Sequence, residues 1–325
     1  MAQLIKLQDY ISRYETDIFH YPSRFARLKK QQWESIRRFW EQNRRKEEEA
    51  FFLSEEPEEE NEDKKVMQKL KSFFWRGRAE ESAAVEEEEP SMFESIDIGS
   101  AANLEELKRK FLDQLFTFQM KWASSTVREK SYIDPRYFQD ERLRFLMQRL
   151  PDSFLLLYEP VLQLKKAPME LDVLVLTPTE AWCLTFLEEE DQAVYIGSAD
   201  HFWAKRNGKE EGRVLNPTIA VSRMEAVLKN LFQRQQLDFP IRKAIVCRNG
   251  FVDYPGAPFG LDILDSRMFS EWLARMRSMP SPLKTVQLKA AKSVLDFGQT
   301  TSIRRPEWDE DSDFLFLNET EDSED

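Results

Sequence analysis

The chain has few residues of the types that most often build metal centres, disulfide frameworks and catalytic triads. Its 325 residues include two Cys, two His and nine Gly. Cys183 and Cys247 are too few for a disulfide framework or a cysteine zinc site, and they indicate a cytosolic setting. His20 and His201 lie far apart in sequence, so a Ser-His-Asp triad or a histidine metal centre has few starting points. Carboxylates are therefore the expected chemical groups of any active site.

Long apolar runs and glycine-rich phosphate loops are also lacking. No stretch reaches the roughly 18 to 20 consecutive apolar residues that cross a bilayer, and the opening MAQLIKLQDY lacks the apolar stretch of a secretory signal. Neither GxGxxG nor GxxxxGK followed by Ser or Thr occurs. We therefore expect a cytoplasmic protein with no transmembrane segment and no dinucleotide or P-loop site.

Negative charge is concentrated in two parts of the chain. The net charge is -12, yet residues 138–305 carry 23 Lys and Arg against 21 Asp and Glu. The acidic excess lies in a linker, 47–98, and in a tail, 306–325. Like-charged segments with few apolar residues cannot offset the entropy of ordering, so we expect both segments to be largely disordered.

Two helical regions are expected before residue 138. Apolar residues in 1–46 recur at helical spacing and are interrupted at Pro22, which predicts a helical hairpin. In 99–137, Asn103 and Glu106 predict a capped helix start, and a heptad-like apolar stripe predicts a helix that packs on the hairpin or self-associates as a coiled coil. The residues behind these patterns are Leu4, Leu7, Ile11, Tyr14 and Ile18 in the first region and Leu104, Leu107, Phe111, Leu115, Phe118 and Trp122 in the second.

A basic-aromatic island, KKVMQKLKSFFWRGR, occupies residues 64–78 inside the acidic linker. It is interpreted as a membrane-surface helix or as a docking peptide for a partner. The alternative is that it folds back on the flanking glutamates or on the body of the protein. Together with 1–46, the island is the expected contact site for an unknown protein partner.

Residues 138–305 are predicted to form an α/β domain. FQDERLRFLMQRL predicts a helix, and SFLLLYEPVLQL, ELDVLVLTP, AWCLTFLE and AVYIGS predict strands of a meander. A long helix is expected after Asn216-Pro217, followed by the strands IRKAIVC and LDILD and by the helix SRMFSEWLARMRS. The order α-β-β-β-α-β is mixed, so it does not indicate a Rossmann sheet.

This order of elements resembles the nuclease-related domain, NERD, of Gram-positive bacterial proteins. The landmarks are Glu170-Leu171-Asp172 on the second strand, Trp203 before a glycine-containing turn, and Asn216-Pro217 at the long helix. The resemblance covers about 138–278 and implies a restriction-endonuclease-like, PD-(D/E)xK fold: a mixed sheet flanked by helices, here preceded by an α-helical N-terminal region. It also implies carboxylates that hold Mg²⁺ or Mn²⁺ beside a scissile phosphate, and a lysine that orients or activates the attacking water.

The resemblance places a metal-binding carboxylate at Asp172, which would be the metal ligand if there is one. It places the Glu-x-Lys pair at Thr185 and Leu187, so both central catalytic residues are missing. Glu141 and Glu170 are the other relic candidates. The alternative reading of Asp172 is structural, as the partner of a nearby donor. Without the Glu and the Lys, hydrolysis should fall by orders of magnitude, and we expect no bound cofactor unless the site is active.

The function expected on this basis is a catalytically degenerate NERD protein that serves as a nucleic-acid-associated or partner-binding accessory factor. Candidate nucleic-acid contacts are the local basic residues Lys205, Arg206, Arg213, Arg242, Lys243 and Arg248. One alternative is an active metal-dependent nuclease with migrated ligands, drawn from Asp172, Glu159, Glu188 to Glu190 and Lys165 or Lys166. Another is an interaction scaffold that uses the N-terminal helices and the acidic segments.

Overall fold

A computed structural model of the chain describes residues 1–53, 101–164, 167–279 and 281–305. These residues divide into two compact units, Met1–Lys29 with Leu112–Asp325, and Lys30–Phe111. The predictions for the island 64–78, for Lys165 and Lys166, for the tail 306–325 and for most of the acidic linker fall outside the described residues. Within those residues no helix has the length and apolar character needed to span a membrane.

The described residues form a mixed α/β structure with eight helices and fourteen strands. The helices are α1 (Arg13–Thr16), α2 (Tyr21–Leu53), α3 (Leu104–Trp122), α4 (Arg136–Gln139), α5 (Glu141–Arg149), α6 (Pro217–Arg234), α7 (Phe269–Arg277) and α8 (Thr285–Leu295). The strands are β1 (Gln3–Leu7), β2 (Glu129–Lys130), β3 (Leu155–Tyr158), β4 (Val161–Gln163), β5 (Pro168–Glu170), β6 (Val173–Leu176), β7 (Ala181–Phe186), β8 (Val194–Ile196), β9 (Phe202–Asn207), β10 (Glu210–Leu215), β11 (Ile241–Cys247), β12 (Phe251–Asp253), β13 (Leu261–Asp265) and β14 (Ile303–Arg304).

The larger unit is built on a six-stranded sheet in the order β1-β3-β6-β7-β11-β13. Strands β3, β6 and β7 are antiparallel neighbours, whereas β1 runs parallel to β3 and β11 runs parallel to both β7 and β13. Strands β1, β3 and β6 are buried at every position. Their continuous apolar runs are typical of strands covered on both faces.

Local sequence signals explain where the two helices beside the sheet begin. The side chain of Asp140 accepts hydrogen bonds from the backbone amides of Arg142 and Leu143 at the start of α5. The Asn216 side chain accepts from the Thr218 amide at 3.0 Å, and Pro217 occupies the first turn of α6. Both arrangements satisfy amides that a helix start leaves without partners. The predicted cap at Asn216 is confirmed.

A second sheet of four strands, in the order β10-β9-β8-β12, follows the carboxyl ends of β7 and β11 in the chain. Trp203 and Val214 face each other across β9 and β10 and are buried in a cluster with Tyr195, Cys247 and Val252. Segment AVYIGS was predicted to extend the meander of the main sheet. That prediction is wrong, because β8 pairs with β9 and β12 instead.

The N-terminal prediction also needs correction, because residues 1–46 do not form a helical hairpin. Residues 3–7 form the edge strand β1, and α1 has only four residues. The apolar spacing at Leu4 and Leu7 fits a helix, but five consecutive buried residues also fit a strand covered on both faces. Helix α2 then continues to Leu53, beyond the predicted boundary at residue 46.

Two of the predicted strands, SFLLLYEPVLQL and ELDVLVLTP, are interrupted. The expected strand SFLLLYEPVLQL breaks at Glu159-Pro160, where Glu159 has a positive φ of 49°. The residues after the break form β4, which pairs with β5 in a separate two-stranded sheet. A left-handed residue followed by proline, which has no amide hydrogen, ends the pairing of β3 at this point.

The smaller unit, Lys30–Phe111, contains the later part of α2 and the start of α3. The rings of Trp33 and Phe111 lie 5.2 Å apart, and the Trp40 indole donates to the Ala101 carbonyl at 3.0 Å. The predicted capped helix start is confirmed, since Asn103 Oδ1 accepts from the Glu106 amide, while Glu106 Oε2 accepts from the Ala102 amide.

Candidate functional site

Polar side chains gather where the chain leaves three strands of the main sheet and enters a fourth. The strand directions bring the carboxyl ends of β3, β7 and β11 and the amino end of β6 to the same edge. The start of α5 contributes to the same region. We call this group the carboxyl-edge cluster, and its members are Arg136, Tyr137, Asp140, Arg142, Tyr158, Glu159, Asp172, Thr185, Glu188 and Arg248.

Asp172 lies at the amino end of β6 and is partly buried. Its Oδ2 accepts a hydrogen bond of 2.6 Å from the hydroxyl of Thr185 on the neighbouring strand β7. Its backbone carbonyl accepts from the Glu159 amide at 2.7 Å. Thr185 thus occupies the expected Glu position and acts as a donor to Asp172, which matches the structural reading of this carboxylate.

Asp140 connects the start of α5 to the end of β3. Its Oδ1 caps the helix, while its Oδ2 accepts a hydrogen bond of 2.6 Å from the hydroxyl of Tyr158. Tyr158 is fully buried. Burial, followed by the hydrogen bond and negative charge of Asp140, raises the pKa of Tyr158, so its hydroxyl stays protonated at neutral pH.

Two guanidinium groups converge on Glu188 beyond the end of β7. Arg248 contacts both carboxylate oxygens through Nε and Nη2, at 2.5 and 2.7 Å. Arg142 Nε lies 3.7 Å from Glu188 Oε2 and makes no hydrogen bond within the described part of the chain. Burial opposes the charge of Arg248, but the hydrogen bonds to Glu188 outweigh it and raise the pKa of Arg248. Arg248 is therefore charged.

Aromatic rings orient these arginines. The Arg142 guanidinium lies 4.7 Å from the ring centre of Phe186, and that of Arg248 lies 4.8 Å from the ring centre of Phe145. A planar guanidinium stacked on an aromatic ring keeps its edge donors free for an acidic or phosphate group. The ring contacts restrict the orientation of the two guanidinium groups.

Among the acidic residues of the cluster, Glu159 has a strained backbone conformation. It adopts a positive φ, its side chain is 29% exposed, and its Oε2 accepts from the Tyr137 hydroxyl at 2.9 Å. Arg136 Nη2 donates to the Tyr137 oxygen at 2.7 Å and lies 3.8 Å from Glu159 Oε2. Burial and the Glu159 hydrogen bond raise the pKa of Tyr137. Strain of this kind is often retained at functional sites.

The other carboxylates predicted from the sequence lie outside these contacts. Glu141 is exposed on the first turn of α5, next to Asp140. Glu170 is exposed on β5. Glu189 and Glu190, considered as migrated ligands, both pair with Lys205. Among the residues that the structure describes, no three His, Cys, Asp or Glu side chains are grouped so that they could hold a metal ion.

The candidate nucleic-acid contacts do not form a single basic face. Five of them pair with acids: Lys205 with Glu189 and Glu190, Arg206 with Glu211, Arg242 with Asp262, Lys243 with Glu225, and Arg248 with Glu188. Arg213 is exposed on β10. Only Arg248 is a member of the carboxyl-edge cluster.

Comparison with known proteins gives one informative relative. An RNA 2',3'-cyclic phosphodiesterase from Geobacillus stearothermophilus is 42% identical over 119 residues. By name, that relative is an RNA enzyme. The matched residues are 37% of this chain and 36% of the relative, so the chain spans about a third of the relative's length. No family model and no solved structure matches the chain.

This relative overturns the function expected from the resemblance. A catalytically degenerate NERD accessory factor is contradicted, because the curated relative is named as an RNA phosphodiesterase. The nuclease-related interpretation of the activity, on which the expected degenerate active site depended, is corrected accordingly. The Glu-x-Lys positions remain occupied by Thr185 and Leu187, but their occupants no longer decide the function.

Sequence reasoning missed the residues that surround Asp172. Arg248 was chosen as a nucleic-acid contact and Glu188 as a migrated ligand, but their pairing across 60 positions has no local signal. Tyr137, Tyr158 and Arg142 were not selected at all. One signal was present: Tyr158 ends one apolar strand and Glu188 follows another, and the carboxyl ends of strands that run in the same direction meet at one edge.

Proposed function

We propose that this chain is an RNA-processing enzyme that acts on a phosphodiester at the carboxyl-edge cluster. The observation that carries the proposal is the 42% identity over 119 residues with an RNA 2',3'-cyclic phosphodiesterase. The cluster supports it, because it places guanidinium groups beside carboxylates at one edge of the sheet. The substrate proposed is RNA ending in a 2',3'-cyclic phosphate.

The chemistry requires a group that holds the phosphate and a group that moves one proton. Hydrolysis forms a bond from the water oxygen to phosphorus, breaks the bond from phosphorus to one ribose oxygen, and transfers a proton from the water to that oxygen. Guanidinium groups match the two non-bridging phosphate oxygens and stabilise the charge that develops on them. Arg142, whose buried Nε makes no hydrogen bond in the described part, is the proposed phosphate ligand.

Glu159 is the proposed proton carrier. Asp140 caps α5 and Asp172 accepts from Thr185, while Glu188 is bound by Arg248. Glu159 is partly exposed, so a substrate water can reach it. It takes the proton from the attacking water and gives it to the departing ribose oxygen, which balances the reaction. Tyr137 and Arg136 are positioning residues, since their hydrogen bonds fix the Glu159 carboxylate.

The test is hydrolysis of 2',3'-cyclic CMP and of an oligoribonucleotide with a 2',3'-cyclic phosphate end, followed by ³¹P NMR with the full chain. We expect conversion to a phosphomonoester. Glu159→Gln should lower kcat by about 10²- to 10⁴-fold, because it removes the general base. Arg142→Gln should mainly raise KM, because it removes a phosphate ligand present in the ground state.

Glu271→Gln is the matched control, since Glu271 is an exposed glutamate on α7 outside the cluster. It should retain wild-type turnover. Reactions with Mg²⁺ and with EDTA run in parallel show whether a metal contributes. If the wild-type chain hydrolyses neither substrate under either condition, or if Glu159→Gln and Glu271→Gln have equal turnover, the proposed function is wrong.

We also propose that the core has the restriction-endonuclease-like arrangement which the resemblance implies. The order α5, β3, β6, β7, α6, β11, with three antiparallel strands followed by a parallel one, supports this assignment. An experimental structure compared with members of that fold group is the test. A cytoplasmic location, expected from the low cysteine content, belongs to the same proposal, and cell fractionation tests it.

A further inference from the structure

Strands β9 and β10 form a hairpin whose two faces differ. They are joined by the two-residue Gly208-Lys209 turn, in which Gly208 has a φ of 59°. The inner face carries Trp203 and Val214, which are buried. The outer face presents the side chains of three directly opposed pairs: Phe202 with Leu215, Ala204 with Arg213, and Arg206 with Glu211.

The outer face combines exposed apolar side chains with arginines. Phe202 is 51% exposed and Leu215 is 54% exposed, and Ile219 on the first turn of α6 is 39% exposed. These three side chains are too few for a stable protein interface, which buries about 800 Å² on each partner. A single aromatic ring is large enough, however, to stack on one nucleic-acid base.

The charge of the hairpin is opposite to that of the protein as a whole. Residues 201–215 contain four Lys and Arg against two Asp and Glu, in a chain whose net charge is -12. Arg206 and Glu211 pair at 3.2 Å, but both side chains are more than half exposed. An exposed pair of this kind contributes little to stability, so a phosphate can replace Glu211 as the partner of Arg206.

The hairpin is joined to the carboxyl-edge cluster through segment 188–190. Glu188 belongs to the cluster, and the next two residues bind Lys205 Nζ of β9 at 3.0 and 2.6 Å. The inner side of the hairpin is therefore tied to the residue that holds Arg248.

We propose that the outer face of the β9–β10 hairpin binds single-stranded RNA, with a base stacked on Phe202 and phosphates on Arg206 and Arg213. This inference rests on the proposed function and extends it, because it makes a strand, and not only its terminal nucleotide, the ligand. It also gives the chain a preference for oligomers over mononucleotides.

The test measures binding of a fluorescein-labelled oligouridylate to the full chain by fluorescence anisotropy. Phe202→Ala should weaken binding about tenfold, the range for loss of one base-aromatic stack. Phe259→Ala is the aromatic control, since Phe259 is fully exposed elsewhere. Arg213→Ala should reduce the slope of log K against log salt by about 0.7, as expected for one phosphate contact. Arg275→Ala, an exposed arginine on α7, should leave the slope unchanged.

Three results would overturn the inference. One is equal binding by Phe202→Ala and Phe259→Ala, and another is no binding by the wild-type chain. The third is a dimer in sedimentation that Phe202→Ala dissociates, because a second copy of the chain would then cover this face.

Turnover of 2',3'-cyclic CMP separates this inference from the proposed function. The mononucleotide has no second base to stack on Phe202, so Phe202→Ala should hydrolyse it at the wild-type rate. If the wild-type chain hydrolyses the mononucleotide and Phe202→Ala binds RNA as tightly as the wild type, the hairpin inference alone is wrong. If Phe202→Ala weakens RNA binding but the wild-type chain does not hydrolyse the mononucleotide, the enzymatic proposal alone is wrong. Loss of mononucleotide hydrolysis in Phe202→Ala would place Phe202 in the reaction site and reject the hairpin inference.

Discussion

Replacement of Lys6 by Met tests how the chain tolerates a charged residue in its edge strand. Lys6 lies on β1 and its side chain is 1% exposed. Its ammonium binds the Glu15 carboxylate, the Tyr10 carbonyl at 2.8 Å and the Thr300 hydroxyl at 3.3 Å. Burial lowers the pKa of Lys6 and raises that of Glu15, and the pairing of the two opposes both shifts.

Lys6→Met keeps the apolar stem of the side chain and removes only the charge and its donors. Glu15 is then a largely buried carboxylate whose remaining side-chain partner within the described residues is the Thr300 hydroxyl at 3.2 Å. Breaking one side of a buried pair costs about 3–5 kcal/mol. Because Glu15 is 20% exposed, we expect the lower end, a loss of about 3 kcal/mol in the free energy of unfolding.

Urea unfolding followed by circular dichroism measures this loss at pH 7 and at pH 4. The unpaired Glu15 has a pKa above its unfolded value, so the variant regains stability as the pH falls and the carboxyl is protonated. The gap between variant and wild type should therefore be widest at pH 7. The double variant Lys6→Met with Glu15→Leu should cost less than the sum of the single changes. A single-variant loss below about 1 kcal/mol, or strict additivity, would refute the reasoning.

Three further changes can be followed by the same unfolding assay. Asp265 is buried and accepts from Arg267 Nε at 2.9 Å; burial raises its pKa, but the Arg267 hydrogen bonds outweigh burial and lower it. Asp265→Asn should cost about 2 kcal/mol at pH 7, and the cost should shrink as the pH falls below about 4; an unchanged cost would contradict this. Gln287→Leu should cost about 2 kcal/mol, because the buried amide donates to two carbonyls at 2.7 and 2.8 Å, and a neutral effect would contradict it. Thr185→Val should lower the free energy of unfolding by about 1–2 kcal/mol, because it removes the donor to Asp172. A neutral effect would contradict this.

The order of the central elements could be predicted from apolar patterning alone. Helices α5, α6 and α7 and strands β3, β6, β7, β11 and β13 lie within the segments predicted for them. Their signals are local: Asn216-Pro217 marks the start of α6, and the buried strands read as short apolar runs.

The elements that were missed depend on distant contacts or on a turn that was overlooked. Strand β1 forms because it pairs with β3, about 150 residues later, and no local pattern near Leu4 records that partner. The β9–β10 hairpin did have a local signal, because Gly208 stands at the first central position of a two-residue turn between the two strands. Reading that turn would have predicted the hairpin.

The candidate site could be predicted only in part, for a related reason. Asp172 was identified through the resemblance, and its place on an apolar strand predicted that the carboxylate has a partner. The partner itself, Thr185, lies on the neighbouring strand β7. Glu188 contacts Arg248 only because β11 lies beside β7. Pairings of this kind follow from strand order, which a single sequence does not specify.

Because Glu159 has a left-handed backbone conformation, the residue type found at this position in related chains is informative about function. A glycine or asparagine there would relieve about 1 kcal/mol or more of strain, so stability alone favours replacing the glutamate. The contacts of the carboxylate with Tyr137 and Arg136, together with its proposed chemical role, oppose that replacement. In related chains, an acidic residue at this position would therefore indicate an active site. A glycine would indicate a site that is no longer under selection for activity.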